Sequence, residues 1–380
     1  MTSHFKTAFI HSDKFEQYEL GPNHPFKPIR SKLVYDLCNK HGLLDHPWIR
    51  VEEPSELDTT TLAAFHDMLY LNTLRGANSG EFEPGMIVFN IGTGECPVFK
   101  GVYDYAKLAA GASYRGMLSI LQDGARIAFS PTGGYHHAGR RHAEGFCYIN
   151  DIGIVIDVLL ARGKHVAYID IDAHHSNGIQ DAFYTDPRVL KISLHESGKT
   201  LYPWGGFETE TGAGEGEGFN VNVPLPPYTD DEHYIKAFDE IVPPLVGAFN
   251  PDFIVTVIGI DTVAADPLTH LSLTNNGFCD AIARMKALGK PLLALGGGGY
   301  NLDSLARSWT LAWAVMNDIE PEDEHVGTIG GMLLGQQDIP GGSLRDMRQF
   351  ASGPQKKEIE SEIRRVVDYL KRTVFPVHAL

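Results

Sequence analysis

The stretch Tyr168-Ile169-Asp170-Ile171-Asp172-Ala173-His174-His175 decides the fold. It closes an apolar run that starts at His165 and does not alternate with polar residues. Such a run suits a strand covered on both faces of a parallel sheet. The polar residues gather at its end, where open parallel sheets collect their ligands.

Working outward, similar short runs occur at 126–129, 189–194, 253–260 and 291–295. Between them, 103–121, 151–161, 231–249 and 302–316 carry apolar residues at helical spacing. Strand alternating with helix predicts an α/β domain with one parallel sheet flanked by helices and long loops. Polar residues follow the other strands too: His195 and Glu196, Asp261, and the turn Gly296-Gly297-Gly298-Gly299-Tyr300.

These positions carry chemistry as a set. Asp172, His174 and Asp261 offer two carboxylates and an imidazole, enough to hold a divalent metal and leave a position open for water. Zinc fits; iron(II) fits this oxygen-rich set as well. His136 and His137 follow Gly133-Gly134, which lets the chain turn sharply, and can move a proton. Asp170 and Asn177 are partners that could fix their rings. The glycine run lacks the Lys-Ser/Thr of a phosphate loop, so it reads as a turn aiming Tyr300 at a developing oxyanion. Phe146 and Tyr202 could line a tunnel. Cys147 with His142 reads as a packed thiol rather than a nucleophile. The loop 205–218 is either a flexible surface loop or part of a rim.

Bulk properties narrow the class. With 32 Lys and Arg against 48 Asp and Glu, the net charge is −16, which argues against nucleic acid or an acidic membrane as partner. The four cysteines form no Cys-x-x-Cys pair, which fits a reduced, cytoplasmic setting. No secretory signal and no bilayer-length apolar run is read in the chain. The 380 residues read as one domain, because the candidate site draws on almost the whole length. A loop-like stretch, 318–354, leads to a charged terminal helix over 355–373.

The motifs resemble those of zinc-dependent histone deacetylases, in the arginase/deacetylase superfamily, of the bacterial acetoin-utilisation type and class I-like. From about 5 to 316 the chain carries in order His24-Pro25-Phe26-Lys27-Pro28-Ile29-Arg30, Phe65-His66-Asp67, Gly133 to Ala138, and Gly145-Phe146-Cys147-Tyr148-Ile149-Asn150-Asp151. It continues through Tyr168 to Gly178, Ser193 to Gly198, Asn220 to Leu225, Gly259 to Pro267, and Gly296 to Tyr300.

The resemblance implies the arginase/deacetylase fold and hydrolysis of an acetylated lysine, in protein or peptide, or of a small acetylated amine such as a polyamine. It implies metal ligands Asp172, His174 and Asp261, general base His137, electrostatic partner His136 and oxyanion donor Tyr300. Gly145, Phe146 and Tyr202 match tunnel walls, Arg30 an inner acetate channel, and Glu95 a rim acid that is more commonly Asp. Leu268 stands where polyamine specialists can carry an acidic gatekeeper, which favours peptide substrates. Potassium sites near Asp170 and Ser193 are implied too. Asn177 stands where class I-like members have Asp, and Ser176 replaces a usual Gly. An arginase-like ureohydrolase would need further ligands for a second metal, and a catalytically dead reader would have a broken metal set or no tyrosine.

Overall fold

The computed structural model describes residues 5–321 and 343–380. Eight strands form one sheet: β1 (Thr7–Ile10), β2 (Ile49–Glu52), β3 (Ile127–Ser130), β4 (Val166–Asp170), β5 (Val189–Glu196), β6 (Asn220–Leu225), β7 (Phe253–Val257) and β8 (Leu292–Leu295). Their order is β2-β1-β3-β8-β7-β4-β5-β6, with every pairing parallel. Seven strands are buried along their whole length, and only edge strand β2 faces water.

Alternate residues of a strand point to opposite faces. Ala167 and Ile169 of β4 enter one core with Trp309, Trp313 and Phe238, whereas Val166 and Tyr168 enter the other with Tyr105, Ile152 and Ile154. Helices Arg30–Lys40, Asp231–Phe249, Asn275–Ala287 and Leu302–Met316 cover the first face. Helices Val102–Leu121 and Asp151–Ala161 cover the second. Trp309 and Trp313 are fully buried, and each indole donates to a backbone carbonyl, Ile258 at 2.8 Å and Leu43 at 3.0 Å. That leaves neither N–H unpaired in the core.

All five strands read from the sequence are present, along with three more. The run 253–260 ends as a strand at Val257, earlier than its apolar pattern predicts. Its chain still bonds to the neighbouring strand's exit, with Ile258 N to Leu295 O at 2.8 Å and Ile260 N to Gly298 O at 2.9 Å. Glycine is required just past that end, because a Cβ on Gly259 would collide with the Asp172 carboxylate. The terminal helix spans Gly353–Thr373, and its apolar stripe Ile359, Ile363, Val366, Val367 and Leu370 is buried in the first core. Of the loop-like stretch 318–354, residues 322–342 lie outside the described residues.

Two glycine substitutions test this packing. A Cβ at Gly111, inside helix Val102–Leu121, would strike the Ser55 carbonyl oxygen, whereas exposed helical Gly247 has nothing within 4 Å. Gly111→Ala should destabilise by about 1–3 kcal/mol, the usual scale for overpacking. Gly247→Ala should stabilise by up to about 1 kcal/mol through helix propensity. Urea unfolding measures both, and equal effects would contradict the packing.

Candidate metal centre

Asp172 and His174 follow β4, and Asp261 follows β7, its neighbour in the sheet. All three are buried, and their ligand atoms lie within 4.8 Å of one another. His174 Nδ1 is 2.8 Å from Asp261 Oδ2 and 3.2 Å from Asp172 Oδ1. Backbone donors hold the carboxylates in place: Ala173 N to Asp261 Oδ1 at 2.9 Å, and Gly298 N to Asp172 Oδ2 at 2.5 Å. A Cβ on Gly298 would fall on the Asp261 carboxylate.

The electrostatics fit a cation. Burial pushes Asp261 up to about 7, and the adjacent Asp172 charge pushes the same way. Burial acts in the same sense on Asp172, but His136 and His174 outweigh it and hold this carboxyl below its ordinary value. Burial opposes a charge on His174, yet Asp261 and Asp172 raise it to about 10. Two carboxylates sharing buried space favour any positive charge placed between them, whether a proton or a metal ion. The donor set and spacing fit a divalent ion. Among the described residues this is the single such group of three or more, so the additional ligands of a two-metal ureohydrolase are not found there.

His136 and His137 leave β3 on the loop that begins at Pro131. His136 Nδ1 meets Asp170 Oδ2 at 2.8 Å, and its Nε2 lies 3.0 Å from His137 Nε2. Burial opposes the His136 charge, but Asp170 and then Asp172 raise its pKa. His137 goes the other way. Burial lowers it well below the ordinary value, and positive His136 and His174 add to this. Its Nδ1 lies 2.7 Å from Asn177 Oδ1. Thus one imidazole favours the charged form and its neighbour the neutral form, which separates an electrostatic role from a base role. Ser176, in place of Gly, has φ −80° and so needs no glycine.

Tyr300 ends the glycine turn and donates its backbone N–H to Asp266 Oδ2 at 2.8 Å. Arg30 holds the same turn from behind, with Nη2 to Gly297 O at 2.6 Å and its guanidinium 4.0 Å above the Phe26 ring. Phe146 packs edge-on against Tyr300 at 5.7 Å, and Tyr202 against His137 at 5.4 Å. Phe146 has φ +69°, rare for a bulky residue, on a turn clamped by paired hydrogen bonds between Glu144 and Cys147. Gly145 in that turn is required, because a Cβ there would overlap the His137 ring. Arg30, His136, His137, Gly145, Phe146, Asp172 and Tyr300 line one pocket.

The structure leaves Tyr202, Glu95 and Leu268 outside that pocket's lining, the last two exposed. Glu95 is nonetheless joined to Phe146: its carbonyl meets His24 Nε2 at 3.2 Å, and His24 packs on the Phe146 ring at 4.7 Å. Leu268 N donates to Asp266 Oδ1 at 2.9 Å, so it sits on the loop that holds Tyr300. The Cys147 thiol is buried, with burial raising its pKa well above the ordinary value, and His142 bonds Glu144 instead. Sequence reading missed Glu144 altogether. Its carboxylate accepts from Asn177 Nδ2 at 3.0 Å and Tyr202 OH at 2.8 Å. The available signal was an acid directly before the Gly145-Phe146 turn.

Residues 24–316 match the histone deacetylase domain family model. The chain belongs to the histone deacetylase family. It is 34% identical over 323 residues to "Type-1 histone deacetylase 1" of Dictyostelium discoideum, covering 84% of this chain and 64% of that protein. It is 37% identical over 325 residues to "Putative histone deacetylase 2" of Caenorhabditis elegans, 84% and 63%, and 34% identical over 322 residues to human "Histone deacetylase 1", 84% and 66%. The chain thus spans just under two thirds of the length of these relatives. The fold agrees with the crystal structure of a histone deacetylase homologue from Aquifex aeolicus, at TM-score 0.87 and 30% identity over 95% of this chain and all of that one. A second structure matched equally well is a homologue complexed with SAHA. The parallel sheet with its flanking helices is the arginase/deacetylase fold. No helix among the described residues is long and apolar enough to cross a membrane.

The ligand pKa values give ion binding a definite pH dependence. With His174 raised to about 10, an ion entering below that pH must displace one proton. Below about 7 it must displace a second, from Asp261. Zinc affinity should therefore tighten by about tenfold per pH unit from roughly pH 7 to 9, and more steeply below, because ligand protons compete with metal. Competition with a chelator measures it. An affinity independent of pH would contradict the assignment.

Proposed function

We propose that the protein is a zinc-dependent deacetylase that hydrolyses the acetyl amide of a lysine side chain, giving acetate and the free amine. The observation that carries this is that the cluster Asp172, His174 and Asp261 reaches, through Asp172, the pocket lined by His136, His137 and Tyr300. A divalent ion held by the three ligands would polarise the acyl carbonyl and make water a better nucleophile. His137 Nε2, on a ring kept neutral by burial, accepts the proton of the attacking water as the new C–O bond forms. It returns that proton to the amine nitrogen as the C–N bond breaks. His136, held charged by Asp170, stabilises the negative charge that develops on the substrate. The Tyr300 hydroxyl donates to the oxyanion. Phe146 and Tyr202 grip the methylene stem, Arg30 fixes the inner turn, and Glu95 holds the peptide backbone at the rim.

We assign zinc as the native ion, with iron(II) the other metal this ligand set accommodates. We further assign potassium sites beside Asp170 and Ser193, which are paired in register on β4 and β5. The acetoin-utilisation branch is inferred from motifs alone. We read the chain as a single domain, a reading supported by one sheet that draws strands from Thr7 to Leu295. Four buried free thiols support a cytoplasmic setting. A second reading, acetylpolyamine deacetylation, needs an anion to meet the distant ammonium. Leu268 at the expected position disfavours it.

Two outcomes test this. Tyr300→Phe should keep its metal but lose roughly 10²-fold or more in kcat on an acetyl-lysine peptide, with KM changed less. Near-normal turnover in the metal-loaded variant would remove Tyr300 from the reaction. In a substrate panel, acetylated peptides should exceed acetylputrescine in kcat/KM, and the reverse order would establish the polyamine reading.

A further inference from the structure

The deacetylase reading gives no role to Glu144, a half-buried carboxylate beside the base. Asn177 sits behind the base and offers an amide, which can present either its oxygen or its NH2 to His137. If the oxygen faces His137, Nδ1 must carry the proton and Nε2 is left unprotonated, as an acceptor. If the NH2 faces His137, Nδ1 is the acceptor and Nε2 keeps its hydrogen, which disables the base. Nothing in Asn177 itself decides between the two.

Glu144 does decide. Its Oε1 is 3.0 Å from Asn177 Nδ2, on the side of the amide away from His137. A carboxylate accepts hydrogen bonds and cannot donate them, so only the NH2 of Asn177 can face it. Glu144 is held ionised: burial favours its neutral form, but bonds from His142, Tyr202 and Asn177 outweigh that and lower its pKa. Its position is fixed by the Glu144–Cys147 backbone pair, by Tyr202 OH on the same Oε1 at 2.8 Å, and by His142 Nε2 on Oε2 at 3.1 Å.

We propose that Glu144 is a positioning residue that fixes the Asn177 amide and through it the Nδ1–H tautomer of His137, while tying the same network to the tunnel wall at Tyr202. A neutral amide at 177 thereby does the orienting work of a carboxylate, at the cost of needing a carboxylate one step further out. The same geometry makes an acid at both positions unfavourable, since Asp at 177 would face Glu144 at hydrogen-bond distance.

The kinetic arm of the test rests on the deacetylase reading, and the spectroscopic arm does not. In zinc-loaded protein at about pH 8, 15N spectra of the imidazoles should show His137 as one Nδ1–H tautomer. Glu144→Gln, whose amide can donate or accept, should give mixed or shifted His137 signals with metal content unchanged. In kinetics, Glu144→Gln should lower kcat by roughly 10-fold or more, the scale for groups that orient such residues, with KM little changed. In an Asn177→Asp background the same substitution should raise kcat, because it removes the facing carboxylate. A reversal of sign between backgrounds is coupling that a general loss of stability does not produce. An Nε2–H tautomer in the native enzyme, unaltered His137 signals in Glu144→Gln, or an equal loss in both backgrounds would overturn the proposal. Should Glu144→Gln fail to fold, Glu144→Ser serves the same comparison, and the native tautomer needs no variant. If the native enzyme lacks deacetylase activity but keeps the Nδ1–H signal and its dependence on Glu144, the fault lies in the substrate reading alone.

Discussion

The interaction on which the structure turns is the mutual repulsion of Asp172 and Asp261, two carboxylates with no solvent exposure that face one imidazole. Burying one charge is costly, and burying two like charges is worse, unless a positive charge lies between them. That requirement explains the surroundings. Backbone N–H groups of Ala173 and Gly298 point at the carboxylates. Gly259 and Gly298 leave out the side chains that would occupy their space. Charged His136 sits behind them on Asp170.

From that cluster the rest of the site is assembled by the sheet. Parallel strands deliver their ends to one edge, so β3, β4 and β8 each contribute a loop to one pocket and β7 adds Asp261 to the cluster beside it. Arg30, which comes from a helix far away in sequence, pins the glycine turn through two carbonyl oxygens, so the position of Tyr300 depends on the first helix of the chain. The Glu144 turn, with Phe146 in a left-handed conformation, closes the other side. Phe146 and Tyr202 thus pack against Tyr300 and His137, on the two sides of the pocket.

Much of this was legible in the residues. The central strands announced themselves because burial on both faces demands an unbroken apolar run, as in β4 and β7. Strands β1 and β2 were not read, since four residues such as Ile49-Arg50-Val51-Glu52 at an exposed edge carry little pattern. The ligands and the histidine pair were legible because each lies next to a strand end or a glycine pair. Glu144 was not, because a single acid in a loop looks like any solvated charge until folding brings Asn177 and Tyr202 to it. The hold of Asp266 on Tyr300 was not read for the same reason: it spans 34 residues. Glu95 and Leu268 were named from resemblance, and both are exposed.

The central claim is that one divalent ion sits among Asp172, His174 and Asp261. Anomalous diffraction at the zinc edge, from crystals of zinc-loaded protein, tests it most directly. The account requires one strong peak at about 2.0–2.2 Å from a carboxylate oxygen of Asp172, His174 Nδ1 and a carboxylate oxygen of Asp261. A pair of adjacent strong peaks, or a single peak bound elsewhere with this cluster bridged only by protons, would contradict it.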